Sequence, residues 1–217
     1  MTRLLNDKEL QRSSVVANCT MNRERSLTGS NGYGRELGID VLAKLPAGAR
    51  WLDLCCGTGR ALHEAAALLE GAAEIVGVDL AGHFMPAPPP PGLTLVAASV
   101  TEWVPEGRFD LITSVHGLHY LGDKLAVLAR AASWLCDDGL LVANFDARSI
   151  RAADGTPLGR RLTTELERQG FTYDTTRRRI SMQGRQEPTF PYRFLGADDT
   201  AGPNYTGQPA VDSFYEL

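Results

Sequence analysis

The chain has 217 residues, 43% of them hydrophobic and 22% charged, which is room for one ordinary domain with a buried core and not the composition of a disordered chain. A net charge of -4 gives no global attraction for nucleic acid or an anionic membrane. No apolar run approaches the ~20 residues that a membrane span needs.

The opening, Met1 to Leu10, carries Arg3, Asp7, Lys8 and Glu9, which is not the charged-then-apolar layout of a secretory signal. A helix is predicted around Asp7 to Ala17, and Thr28 to Gly32 reads as a loop. Arg35 to Leu45 places Leu37, Val41, Leu42 and Leu45 at helical spacing, with Pro46 beyond its end. The four cysteines, Cys19, Cys55, Cys56 and Cys136, have no Cys-x-x-Cys spacing and no answering pair. They are expected to be reduced thiols in a cytoplasmic protein.

From Ala49 strands and helices alternate. Trp51–Cys55, Ile75–Val78, Leu93–Ala98, Phe109–Val115 and Leu140–Phe145 read as buried strands, the last preceded by a turn at Asp137-Asp-Gly139. Ala61–Glu70, stopped by Gly71, and Lys124–Leu135 read as helices. This order predicts an α/β fold, a doubly wound and mostly parallel sheet with helices on both faces. The helix expected between the second and third strands is replaced by Ala81–Gly92, whose four consecutive prolines, Pro88 to Pro91, allow at most a turn of helix. After Phe145 a helix is predicted over Leu158 to Arg168. Phe171–Met182 and Thr189–Leu195 are expected to pair through Gly184 as an antiparallel C-terminal edge hairpin. The tail from Gly196 keeps Tyr205, Phe214 and Tyr215, which predicts that it packs back on the body.

The segment that carries chemistry is Asp53-Leu-Cys-Cys-Gly57-Thr-Gly59, at the end of a strand and the start of a helix. Glycines there permit positive φ and let a ligand approach bare backbone. Asp79, 20 residues after Gly59, ends the next strand, where a carboxylate can accept hydrogen bonds from both hydroxyls of a ribose. Together they describe a nucleoside site at the carboxyl ends of adjacent strands. A dinucleotide fingerprint would need glycines at 55, 57 and 60, where the chain has Cys55, Gly57 and Arg60.

The glycine turn, the Val78-Asp79 strand end and the Phe109-Asp110-Leu-Ile strand resemble those of class I S-adenosylmethionine-dependent methyltransferases over roughly Ala49 to Phe145. The resemblance implies S-adenosyl-L-methionine as cofactor and a single domain over 1–217. Residues 1–46 would form an N-terminal helical lid, 47–145 the cofactor half, and 146–217 the substrate-side half and tail. It places Gly57 and Gly59, with Cys55 between the motif ends, under the methionine and ribose. It puts Asp53 near the cofactor amino group, Asp79 on the ribose, and Leu80 on the adenine. Ser99 and Val100 would stand at the adenine edge, Ser99 in place of a common Asp. Ser114 to His116 would lie at the methionine end, and Tyr33 and Arg35 in a segment folded over the cofactor, Arg35 able to clamp a carboxylate.

His116 is the candidate base, with Asn144 and Tyr173 as further catalytic candidates. Tyr33, Tyr173 and Tyr205 are candidates for cation–π contact with a sulfonium. The three-residue spacing of His116 and His119 has no third ligand at matching distance, so no metal is expected. Arg177 to Arg179 read as a solvated edge strand with Glu165 and Glu167 nearby. The expected activity is methyl transfer to an oxygen or nitrogen of a small metabolite, with no nucleic-acid or membrane partner and with a homodimer allowed. The alternatives are cyclisation of the cofactor to azetidine-2-carboxylate and methylthioadenosine, and a non-catalytic cofactor-binding accessory protein.

Overall fold

The computed structural model describes residues 3–17 and 24–217, which leaves Cys19 outside. Among these residues, ten strands form two sheets. The first has the strand order β3-β2-β1-β4-β5-β8-β7, with β1 at Arg50–Leu54, β2 at Glu74–Asp79, β3 at Leu93–Ala97, β4 at Phe109–Ser114, β5 at Leu135–Asn144, β7 at Thr172–Asp174 and β8 at Arg179–Gln183. β1 to β5 pair in parallel, while β8 and β7 close the far edge antiparallel. The switch point lies at β1, where the chain leaves toward β2 on one side and returns to β4 on the other. Ligands in such sheets bind outside the carboxyl ends of these strands.

Alternation along each strand splits the core in two. Leu52 and Leu54 face one layer with Ile112, Leu128, Leu141 and Leu162, against helices α5 (Lys124–Ser133) and α6 (Arg160–Arg168). Trp51 faces the other layer with Ile75, Leu93 and Leu111, against α3 (Tyr33–Leu37) and α4 (Arg60–Leu69). Asp53 has the parity of Trp51, so it too points into the second layer and is fully buried. It is held there. Trp51 Nε1 donates to Thr113 Oγ1 at 2.8 Å, Thr113 Oγ1 donates to one Asp53 oxygen, and Tyr33 Oη donates to the other at 2.7 Å. Burial lifts the Asp53 carboxyl to about 7, against the pull of these two hydrogen bonds.

Several predicted elements end elsewhere, each for a local reason. The helix over Asp7 to Ala17 is two short ones, α1 (Asp7–Leu10), opened by a reciprocal cap between Asn6 and Glu9, and α2 (Ser14–Ala17). The helix over Arg35 to Leu45 stops at Gly38, which adopts φ 67° as a left-handed cap, and a single tight turn follows at Leu42–Lys44. No helix forms over Ala81 to Gly92. Strand β5 begins at Leu135 and runs through the Asp137-Asp-Gly139 segment, because a register shift opposite Phe109 and Leu111 absorbs it.

The antiparallel edge also differs in its partner. Phe171–Met182 folds on itself as β7 and β8, because Asp174 accepts the N–H groups of Thr176 and Arg177 and turns the chain. Thr189–Leu195 does not join that hairpin. Its end enters β9 (Arg193–Asp198) in a separate sheet with β6 (Ile150–Ala152) and β10 (Asp212–Glu216), ordered β6-β10-β9. The tail therefore packs back on the body through β10. Tyr215 is buried, and fully buried Lys124 donates to Val211 O at 2.7 Å and Ser213 Oγ at 2.8 Å.

Arg177 to Arg179 diverge to three partners, none of them Glu165 or Glu167: Asp174 at 3.3 Å, Asp146 at 3.7 Å and the carbonyl of Leu37 at 2.7 Å.

Two measurements test this packing. A Cβ on Gly77, in the middle of β2, would fall 2.5 Å from Leu62, 2.8 Å from Leu95 and 2.9 Å from Cys56. Gly77→Ala is expected to cost about 1–3 kcal/mol in urea denaturation, as overpacked cores do. The native Asp53 carboxyl holds its proton up to about 7, whereas the unfolded one releases it near 3.8, so this group lowers stability as pH rises between those values. Asp53→Asn should therefore gain on the wild type by up to about 4 kcal/mol between pH 4 and 8, read as the difference of two denaturation series. A constant difference across that range would refute it.

Candidate functional site

The turn after β1 is built to leave backbone open. Cys55, Gly57 and Gly59 all take left-handed φ, at 60°, 62° and 74°. Gly57 N–H donates to Asp79 Oδ2 at 3.0 Å, and Ala81 N–H donates to Asp79 Oδ1 at 3.0 Å. The Asp79 carboxylate is thus aimed before any ligand arrives and keeps one lone pair on each oxygen for further donors. The proline-bearing segment folds back onto the turn, Met85 N–H reaching Thr58 O at 3.0 Å.

A cavity of about 800 Å³, part of it open to solvent, lies over these strand ends. Cys55, Gly57, Asp79, Leu80, Ser99, Val100 and His116 line it. Leu10, Gln11 and Val16 of the N-terminal segment close one end. His116 has φ 59°, and a Cβ on the adjacent Gly117 would fall 2.3 Å from that of Cys55. Two non-glycine residues in left-handed backbone therefore meet across one glycine, in the cavity wall. Such positions cost of order 1–3 kcal/mol each and persist where the surroundings over-determine them.

The other predicted residues stand outside this wall. Asp53 lies behind the turn, bonded to Tyr33, because strand parity turns it into the core. Gly59 caps α4 and packs on Leu95. Ser114 donates to Leu54 O at 2.9 Å. Arg35 donates to the Ser30 carbonyl, at 3.0 Å. Asn144 Oδ1 accepts the His116 N–H at 3.2 Å, so it shapes the backbone that carries the imidazole. Tyr173 Oη donates to Phe145 O at 3.1 Å and lines neither cavity.

A second pocket adjoins the first and shares His116 with it. Arg25, Asn31, Glu36, Tyr205 and Thr206 form its other walls. His116 Nε2 lies 3.0 Å from Glu36 Oε2, and Glu36 Oε1 is 3.2 Å from Arg25. The His116 hydrogen bond holds the Glu36 carboxyl below its usual range. His116 Nδ1 is 3.3 Å from His119 Nε2, which is 3.3 Å from Tyr205 Oη. Burial, followed by the nearby positive charges, keeps His119 neutral, and burial keeps the Tyr205 hydroxyl protonated. Sequence reasoning missed Glu36, although it follows the nominated Arg35. It also missed Gln11, since neither carries a motif. Among the described residues no three His, Cys, Asp or Glu side chains are placed to hold a metal ion. No described helix is long and apolar enough to cross a membrane.

Several methyltransferases are among the solved structures with partial likeness. An amino pentose methyltransferase of Micromonospora echinaspora, bound to S-adenosylmethionine, is 27% identical, over 53% of this chain and 51% of its own, with a TM-score of 0.41. A phosphoethanolamine N-methyltransferase of Haemonchus contortus is 18% identical, over 64% and 35%, with a TM-score of 0.48. The plantazolicin methyltransferase BpumL, in complex with S-adenosylhomocysteine, is 16% identical, over 44% and 38%, with a TM-score of 0.40. The chain thus spans between about a third and a half of these proteins. No curated protein matches it. A family model described as a methyltransferase domain matches residues 32–179, well over half of the chain and the stretch that holds the glycine turn, Asp79, His116 and Glu36. The chain belongs to the methyltransferase-domain family.

Proposed function

We propose that the chain binds S-adenosyl-L-methionine in the cavity over the strand ends and catalyses methyl transfer to an oxygen or nitrogen of a small acceptor in the adjoining pocket. The observation that carries this reading is His116, which stands in the wall of both cavities with its imidazole bonded to Glu36.

The residues fit an adenosyl cofactor. The Asp79 oxygens keep lone pairs for two ribose hydroxyls, Leu80 and Val100 offer apolar contact to a base, and the glycine turn leaves room for close approach. When bound, S-adenosylmethionine supplies a sulfonium whose methyl carbon is electrophilic. The chain's own residues must then hold the acceptor in line at ~3–3.5 Å, keep water out and take up a proton.

Glu36, held ionised, accepts the hydrogen bond of His116 Nε2–H and leaves Nδ1 as the basic atom of that ring. The imidazole pair His116–His119 would receive the proton that the acceptor's oxygen or nitrogen gives up on methylation. Glu36 stabilises the resulting imidazolium. His119 Nε2–H faces His116 Nδ1, and Tyr205 Oη, 3.3 Å from the same nitrogen, directs its own proton to whatever occupies the pocket. A pocket of this size and polarity suits a small molecule, and the free thiols Cys55, Cys56 and Cys136 suit a reducing cytoplasm.

The test is mass spectrometry of purified protein with S-adenosylmethionine, first alone and then with panels of small amines, phenols and carboxylates. S-adenosylhomocysteine together with a methylated acceptor is the expected product. Methylthioadenosine formed without any acceptor would overturn methyl transfer in favour of cyclisation. With an acceptor in hand, His116→Gln and Glu36→Gln should each lower kcat by about 10²–10³. Calorimetry should find their affinity for S-adenosylhomocysteine within about threefold of wild type. A parallel loss of affinity would make the pair a structural support.

A further inference from the structure

We infer that Gln11 reads the amino group of the cofactor's adenine, an inference that rests on the S-adenosylmethionine reading above. In the sheet order β3-β2-β1-β4, His116 follows β4, Asp79 ends β2 and Ser99 follows β3. A ligand with its ribose on Asp79 and its reacting end at His116 therefore lays its base toward β3. Ser99, Val100 and Thr101 line that end, and Gln11 faces them from the N-terminal segment.

The exocyclic amine of adenine is a donor that must find an acceptor once it leaves water. Ser99 is not free to serve. Its Oγ takes Gln11 Nε2–H at 2.8 Å and Thr101 N–H at 3.3 Å, and it shares a proton with Thr101 Oγ1 at 2.8 Å. A hydroxyl has one proton and two lone pairs, and all are committed. Asp7 also lines the cavity, and its Oδ1 is buried with no hydrogen-bond partner among the described residues, but it is pressed against the Gly122 wall, where a Cβ would fall 2.1 Å from it. With Nε2 directed at Ser99, Gln11 Oε1 has no hydrogen-bond partner among the described residues. It is an acceptor left over beside Ser99, at the place where the base would lie. Ser99 orients the amide, and the amide carbonyl meets the base.

The experiment is calorimetric binding of two ligands, S-adenosylhomocysteine and its analogue with unsubstituted purine in place of adenine, to wild type, Gln11→Leu and Gln11→Glu. The wild type should prefer adenine by about five- to tenfold, the worth of one hydrogen bond. Gln11→Leu should bring that preference within about twofold by weakening the adenine ligand alone. Gln11→Glu, which still offers an acceptor, should keep it. If Gln11→Leu weakens both ligands equally, Gln11 only braces the Ser99 loop and the inference is wrong. A wild type indifferent to the amino group refutes it as well. If the wild type binds neither ligand, the cofactor reading itself falls and takes this inference with it.

Discussion

The arrangement of the site depends on a carboxylate placed where carboxylates are expensive. Asp53 is buried under the turn after the central strand, and its two oxygens accept from Thr113 on β4 and Tyr33 on α3. Tyr33 is thereby anchored over the sheet, and with it the helix that carries Glu36 one turn later. Glu36 lies on His116, which is itself carried by the turn after β4. One buried acceptor thus joins three separate segments of chain and sets the spacing between the two cavities. The desolvation cost shows in the raised carboxyl, and it is the kind of cost that a purely structural core would avoid with an apolar residue.

A second carboxylate does the corresponding work at the neighbouring strand. Asp79 accepts one N–H from the glycine turn and one from the segment that follows it. It locks the turn to β2 and faces the cavity at the same time. Preorganisation of this kind spares a ligand the task of ordering the loop as it binds, and affinity benefits from costs already met in folding. Asn144 does the same for His116 through the backbone N–H, so a residue that never enters the cavity still determines where the imidazole stands.

The parallel half of the fold and its cofactor turn were legible because their signals are local. A buried run, a glycine turn and a carboxylate at the next strand end lie within one strand–helix–strand unit, where spacing along the chain translates directly into space. Side-chain direction was harder. Asp53 stands in the motif, yet strand parity turns it away from the ligand cavity. The choice between Arg35 and Glu36 depends on how α3 rolls on the sheet, which five residues of helix do not declare. Gln11 becomes visible only when the N-terminal segment is laid against β3, 88 residues away in sequence. The small sheet β6-β10-β9 was missed for a related reason. Its strands are short and mixed in polarity, and they find one another only across long separations. The aromatic residues of the tail did signal that it packs back on the body, as buried Tyr215 does.

The left-handed backbone at Cys55 and His116 has a meaning for how such a site can change over time. Both positions would be more comfortable as glycine, which occupies that region without penalty. At residue 116 the chain keeps an imidazole in spite of the backbone, so the side chain and the fold pull in opposite directions. Variants chosen for thermal robustness alone would drift toward glycine there and lose the group that both cavities share. Robustness and chemistry are thus traded against each other at single positions in the cavity wall, while most of the core is free to improve without any such conflict.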